Sequence, residues 1–551
     1  MAPAPNGTAP YSLPLQQQLR NVDAALRSGD TAMAARLAND AVAAGATHIN
    51  LLVLAGYHQI SLGAFDRAAE LGEAAREENP RSTDVLHLLG QAYARLNRPH
   101  DALRAYEAAL RQTPAVAALH FGKARALEDM GEIVRAAREF ERTLDLEPAH
   151  GDALSRLSFL LAQRREGEKA RGFADRALRI NPRAVVAHLA IALCDVDDGA
   201  FQPALDRLAP LANDAGISGV NAVLVRGLMG DAFDGLAQHK NAYTAYTASN
   251  NAQIALYRPM IEVPGVERAA QRVARLRDYF QNAPAEQWTV QPDSATDAVE
   301  THVFLVGFPR SGTTLLENAL ASHGDVEALE ERQTLDDGEQ EFIAPPDGLD
   351  RLACADAATL EKYRKAYWKR VAAETQMPKR KVFVDKLPLN SVLLPLIAKL
   401  FPRAKIIFAL RDPRDVVLSC FRRRFEMNAQ MYEFLTLKDT AGYYDAVMGL
   451  CDIYRAKLGL PMFDAVYERM VADFEGELRR LCDFLGIVFD PAMLNFSERA
   501  KNIATPSAGQ VARGLYTHGA GQWRAYAKQL DPVMPQLAPW IARYGMADIP
   551  E

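Results

Sequence analysis

The sequence predicts a multidomain chain, an N-terminal all-α helical-repeat solenoid followed by an α/β domain of the phosphate-loop type with a parallel sheet. Three observations carry this. Prolines fall at Pro80, Pro114, Pro148 and Pro182, each 34 residues after the last. The run Val303 to Leu316 reads as a buried strand, a tight loop and a helix start. Three more β-type runs, Lys381–Val384, Ala404–Leu410 and Met462–Tyr467, are separated by helical segments, as parallel strands with crossover helices require. At 551 residues the chain is too long for one ordinary core, so two or more domains are expected.

The repeat is marked by small residues as well as by proline. Ala34, Ala68, Ala102, Ala136, Ala170 and Ala204 form one series, and Gly56, Gly90, Ala124, Ser158 and Ala192 a second, twelve residues earlier in each unit. Two antiparallel helices need small residues where their backbones approach most closely, and a proline closes the second helix of each pair. This beat is similar to the tetratricopeptide period. Tyr106 and Phe140, four residues after their alanines, sit where that repeat places a large ring between units. A looser last unit has Gly230, Ala242 and Tyr246, with the period stretched from 34 to 38. Residues 1–14 read as a flexible start, 15–255 as the superhelix, 256–300 as a connecting helix and linker, and 301–551 as the α/β domain. A stacked superhelix offers a concave surface suited to an extended peptide or protein, or to another subunit in a homodimer. The Arg-rich stretches Arg138 to Arg142 and Arg164-Arg165 read as solvated faces.

Composition narrows the function classes. A formal net charge of −6 argues against a general nucleic-acid binder. No apolar run reaches membrane-spanning length, and the first twenty residues lack the charged and apolar regions of a signal peptide, so a cytoplasmic protein is the expectation. The five cysteines are scattered without Cys-x-x-Cys spacing, which points away from a disulfide framework or a zinc site.

The loop Gly307-Phe308-Pro309-Arg310-Ser311-Gly312-Thr313-Thr314 turns backbone N–H groups toward an anion at a helix N-terminus. Thr313 stands where a nucleotide triphosphatase carries lysine, and Arg310 supplies the cation. A phosphotransferase is a rival that this threonine, and the lack of a magnesium-holding Asp after a strand, count against. Arg411 ends a strand, Asp412-Pro413 opens a helix, and Ser419 lies about two turns on. The two could grip one anion from two sides, or Arg411 could be held by Asp412 or Asp415.

These motifs in this order resemble sulfotransferases that use 3′-phosphoadenosine 5′-phosphosulfate (PAPS), especially those related to tyrosylprotein sulfotransferases, over residues 301–551. With the repeats, the chain resembles bacterial tetratricopeptide-repeat sulfotransferases. The resemblance implies that Pro309 to Thr314 cradle the 5′-phosphosulfate and that Arg411, Ser419 and Arg423 hold the 3′-phosphate. It implies that Glu331, with Glu330 as the adjacent alternative, takes the acceptor proton, and that Lys386 faces the oxygen bridging phosphate and sulfur. The alternative for Lys386 is a salt bridge to Asp385. Tyr467 would approach the nucleotide, and Ser507 would hydrogen-bond the leaving phosphate. Arg524 would compensate for Gln522, which stands where the tyrosylprotein enzymes carry lysine; Trp523 and the histidines His323 and His518 read as structural. The donor would be PAPS and the product 3′-phosphoadenosine 5′-phosphate, with no metal required. The favoured acceptor is tyrosine in a peptide or protein bound with help of the repeats. Carbohydrates and small phenols or alcohols are alternatives, and a non-catalytic scaffold is the remaining one.

Overall fold

The computed structural model describes residues 13–288, 298–375, 381–496 and 519–546, and the chain divides into two compact units, Met1–Asp214 and Ala215–Glu551. In the first, antiparallel helix pairs follow one another from Leu13–Arg27 to Phe201–Ala212. The six alanines of the first small-residue series are all fully buried, and Tyr106 and Phe140 are buried with them. A Cβ added at Gly90 would lie 2.7 Å from the Tyr106 ring, so the absent side chain is what lets that ring seat. Each of Pro80, Pro114, Pro148 and Pro182 falls two residues past a helix end, at Glu78, Gln112, Leu146 and Ile180.

The backbone adds a third series. Gly29, Gly63, Asn97, Gly131, Arg165 and Gly199, again 34 residues apart, all have φ between 56° and 80°. They form the tight turn between the two helices of each unit, a left-handed position that glycine takes without strain and Asn or Arg takes at a cost. Arg165, read above as part of a solvated face, is thus also a turn residue. No helix among the described residues is long and apolar enough to cross a membrane.

The second unit begins with the stretched pair, Gly219–Gly235 and His239–Ile261, and the helix Ala269–Asn282. These share a hydrophobic core with the sheet that follows. Five strands, β1 (Thr301–Gly307), β2 (Val326–Glu330), β3 (Val382–Lys386), β4 (Lys405–Leu410) and β5 (Met462–Val466), form one sheet in the order β2-β3-β1-β4-β5. Every pairing is parallel. Alternate residues feed two cores: Phe304, Val306, Phe383, Ile406 and Phe408 on one face, Val303, Leu305, Val384, Ile407 and Ala409 on the other. Helices cover both faces, which is why the central strands read as unbroken apolar runs. The edge strand β2 is absent from the sequence expectation. It is half-buried and carries Glu327 and Glu330, so it lacks the apolar run that marks the other four.

Candidate active site

Polar residues converge at the carboxyl ends of these strands, where parallel sheets bind ligands. β1 delivers the chain to Gly307, and Gly312, at φ 95°, caps the helix Thr313–Ala321. A Cβ on Gly312 would stand 2.9 Å from the Tyr467 ring, so the loop closes only with glycine there. Three contacts pin the loop from behind: Ser391 Oγ donates to Gly307 O at 3.1 Å, Cys420 Sγ lies 3.5 Å from Pro309 O, and Arg411 Nη1 donates to Arg310 O at 2.9 Å. Ser311, Thr313 and Thr314 are buried along the turn.

Arg310, Arg411 and Ser419 come together. Arg310 Nε donates to Ser419 Oγ at 3.0 Å, so Ser419 meets the loop arginine, which Arg411 in turn holds through its carbonyl. Arg411 also donates to Gly519 O and lies 4.8 Å over the Tyr467 ring, which brings Tyr467 to the same cluster. The Arg411 Nε is buried with no hydrogen-bond partner among the described residues, and the Asp415 carboxylate lies 4.0 Å from Arg411 Nη2. The run 422–424 splits. Arg422 pairs with Asp234 at 3.0 Å and Arg424 with Asp231 at 2.6 Å, whereas Arg423 has no ion pair among the described residues. Burial pushes the Arg310 guanidinium down to about 9, and the charges of Arg423 and Arg411 push the same way. Arg423 is lowered by its own burial, against the pull of Asp231 and helped by Arg424 and Arg422. Crowded cations with an orphaned donor fit a multiply charged anion such as a phosphosulfate, whose charge would relieve both.

The segment from Gly519 to Arg524 meets this cluster in part. Asp415 accepts the N–H groups of Gly521 and Trp523 at 2.7 and 2.8 Å, and Gln522 Oε1 accepts from Arg422 Nη2 at 2.6 Å. That last bond accounts for glutamine in place of lysine, since a lysine would face Arg422 with a like charge. Trp523 packs against the core with Arg414 3.7 Å over its ring. Arg524 is exposed, 5.5 Å from the Trp523 ring. Ser507 and His518 lie outside the described residues. His323 accepts from the Asp325 N–H through Nδ1, and its Nε2 lies 2.7 Å from Val488 O.

A second charged centre surrounds Lys386, the last residue of β3, in register with Leu305 and Glu330. Its fully buried Nζ is 2.8 Å from Glu331 Oε1, 2.9 Å from Glu317 Oε2 and 3.6 Å from Glu330 Oε1. Asp385 is not its partner: it accepts from Thr334 Oγ1 at 2.6 Å and Tyr367 Oη at 2.9 Å. Burial alone would lower the Lys386 ammonium, but Glu317, Glu331 and Glu330 outweigh it and hold it above its ordinary value. Burial pushes the Glu317 carboxyl up to about 7 and raises Glu330 as well. The Glu331 side chain is 38% exposed, so it can meet a molecule from solvent while paired with Lys386.

Arg310 and Glu331 share a backbone signature, with φ of 71° and 43°. Left-handed geometry in a non-glycine residue costs on the order of 1–3 kcal/mol and collects at functional sites. Sequence reasoning missed Glu317. The readable signal was a Glu-Asn pair inside an otherwise apolar helix start, every residue of which is buried. It missed Asp231 and Asp234 too, which lie far along the chain from the arginines they neutralise.

Comparisons with known proteins bear on this geometry. Residues 302–491 match the model of the sulfotransferase family, and residues 87–136 and 121–185 match that of the tetratricopeptide repeat. The chain carries a sulfotransferase-family domain after a tetratricopeptide-repeat region. An uncharacterized Aquifex aeolicus protein is 26% identical over 245 residues, 43% of this chain and 32% of its own length, so this chain spans about a third of that relative. Protein-tyrosine sulfotransferase 1 of Danio rerio is 24% identical over 44% of this chain and 71% of its own. Protein-tyrosine sulfotransferase 2 of Gallus gallus is 26% identical over 44% of this chain and 68% of its own. A tetratricopeptide repeat protein of known structure from Parabacteroides merdae is 14% identical, covers 43% of this chain and 92% of its own, and has a TM-score of 0.34.

Proposed function

We propose that this protein transfers a sulfuryl group from PAPS to a hydroxyl, and that the favoured acceptor is tyrosine in a peptide or protein recruited by the repeats. One observation carries the reading: within a sulfotransferase-family domain, an undercompensated arginine cluster at the phosphate loop lies at the same sheet edge as a buried lysine paired with a solvent-exposed glutamate. PAPS supplies an activated sulfuryl group whose sulfur–oxygen bond breaks with the electron pair going to phosphate.

The residues divide the work. Glu331 carboxylate accepts the proton of the acceptor hydroxyl as that oxygen bonds to sulfur, a general-base contribution of about 10²–10⁴-fold. An ammonium has three donors. Lys386 donates one to Glu331, lies close to Glu317 and Glu330, and would turn a donor to the bridging oxygen. Arg310 and the N–H groups of Ser311 to Thr314 meet charge growing on the phosphate, where one such donor is worth about 10²–10³-fold. Arg411, Ser419 and Arg423 hold the 3′-phosphate, with Tyr467 beside Arg411.

The test is mass spectrometry of a lysate peptide and metabolite pool incubated with the protein and labelled PAPS. One labelled sulfuryl group on tyrosyl peptides supports the reading. Label confined to glycans or small phenols moves the acceptor, and label nowhere rejects the activity.

A further inference from the structure

Glu331 opens the connection from β2 to the helix Asp336–Phe342, and β3 holds that connection at both ends. The Glu331 N–H donates to the carbonyl of Lys386 at 2.8 Å, and at the far end Thr334 Oγ1 donates to Asp385 Oδ2 at 2.6 Å. Between these anchors Glu331, Arg332 and Gln333 are exposed, whereas Thr334 is buried. Lys386 and Asp385 are successive residues of one strand, so the connection is gripped from opposite faces of the sheet: Lys386 Nζ reaches Glu331 Oε1 on one, Asp385 reaches Thr334 on the other.

The connection needs such a grip. Glu331 has φ of 43°, a left-handed geometry that a non-glycine residue keeps only where its surroundings over-determine it. Asp385 is in turn seated from behind. It is fully buried, and the Oδ2 that accepts from Thr334 also accepts from Tyr367 Oη at 2.9 Å, on the helix Ala357–Glu374. Tyr367 Oη lies 2.8 Å from Nε2 of His302 in β1, whose ring packs against Phe304, Phe383 and Phe401. A carboxyl among aromatic rings is costly, and packing alone would be served by an apolar side chain. What the carboxyl adds is a fixed acceptor at one end of the connection.

We propose that Asp385 and Thr334 are positioning residues: with Tyr367 and His302 behind them they fix the backbone that carries Glu331, and so the place of its carboxylate relative to Lys386 and the acceptor oxygen, a role that rests on the reading of Glu331 as the base. Neither side chain is exposed to meet substrate or donor. Their contribution is to the rate of transfer, through Glu331, and not to the affinity for the nucleotide.

The experiment compares wild type with Thr334→Val, Thr334→Ser and Asp385→Leu. Rate is read as initial transfer of label from saturating PAPS into the lysate peptide and metabolite pool, whichever hydroxyl receives it, and affinity by calorimetry with 3′-phosphoadenosine 5′-phosphate. Thr334→Val should slow transfer by about 10- to 100-fold, the effect of misplacing a reacting group by about 1 Å, with nucleotide affinity unchanged. Thr334→Ser, which keeps the hydroxyl, should recover most of the rate, and Asp385→Leu should behave as Thr334→Val does. A further readout needs no transfer: trypsin cleavage after the exposed Arg332 should quicken in Thr334→Val relative to cleavage elsewhere in the chain. Thermal melts establish that each variant is folded, and if Asp385→Leu is not, the two Thr334 variants decide. With wild type active, an unchanged rate in Thr334→Val, a loss that Thr334→Ser shares in full, a parallel loss of nucleotide affinity, or unchanged cleavage after Arg332 overturns the positioning role and leaves the proposed function standing. Label transferred nowhere by wild type overturns the proposed function, and the positioning role with it.

Discussion

At one edge of one sheet, two basic side chains move in opposite directions: Arg310 is pushed down to about 9, while Lys386 is held above its ordinary value. Burial works against both. The difference is the company, since Arg310 faces Arg423 and Arg411, whereas Lys386 is ringed by Glu317, Glu331 and Glu330. A cluster short of negative charge waits for an anion to complete it. A cluster with three carboxylates to one ammonium is arranged to share and pass protons. Under the proposed function, the contrast separates the end that would bind the donor from the end that would react.

Four substitutions or ligands would break or sharpen this contrast. The largest effect belongs to the reacting end: Glu331→Gln should lose turnover by about 10²–10⁴-fold while keeping affinity for 3′-phosphoadenosine 5′-phosphate. Single-turnover rates and calorimetry check the two halves, and near-normal turnover hands the base to Glu330. At the binding end, Arg310→Ala should lower kcat by about 10²–10³-fold and weaken the nucleotide as well, a joint loss that Glu331→Gln does not share. Third, 3′-phosphoadenosine 5′-phosphate at a hundredfold excess over its Kd should stabilise the fold by about 2.7 kcal/mol. AMP at the same concentration should raise the melting temperature less, and equal shifts would remove the case for Arg411 and Ser419.

The smallest expected effect is a slope. Glu317, raised to about 7 from 4.5, keeps its proton in the folded chain at pH values where the unfolded chain has released it. Its contribution to stability is therefore complete below about pH 4.5 and is lost as pH rises through about 7. Between pH 5 and 8, urea midpoints of wild type should fall relative to those of Glu317→Gln, by on the order of 1–3 kcal/mol in unfolding free energy. Parallel curves would show that Glu317 holds no proton there.

The parts of this architecture that could be read from the chain are those where one local rule decides. Helix-pair spacing fixed the positions of the buried alanines and the interlocking rings, and apolar runs marked the three central strands and the β5 edge. The loop motif led to Arg310, the strand-end rule to Arg411, and the family resemblance to Lys386. What escaped depended on contacts far apart in sequence. β2 is an edge strand whose charged residues hide its period. Lys386 and its neighbour Asp385 are successive residues of β3 and so face opposite sides of the sheet, where Asp385 meets Thr334 and Tyr367 instead. Glu317 became visible as a partner only when the loop helix was laid against β3.

The helix pair Gly219–Gly235 and His239–Ile261 sends Asp234 to Arg422, Asp231 to Arg424 and Asn250 Nδ2 to the carbonyl of Phe421. Expression of the transferase portion by itself would therefore need to start upstream of this pair, near residue 215. A clone opened at the first strand would strip two guanidiniums of their counter-charges and remove the brace behind Phe421, so its silence in an assay would say nothing about the chemistry of the intact polypeptide.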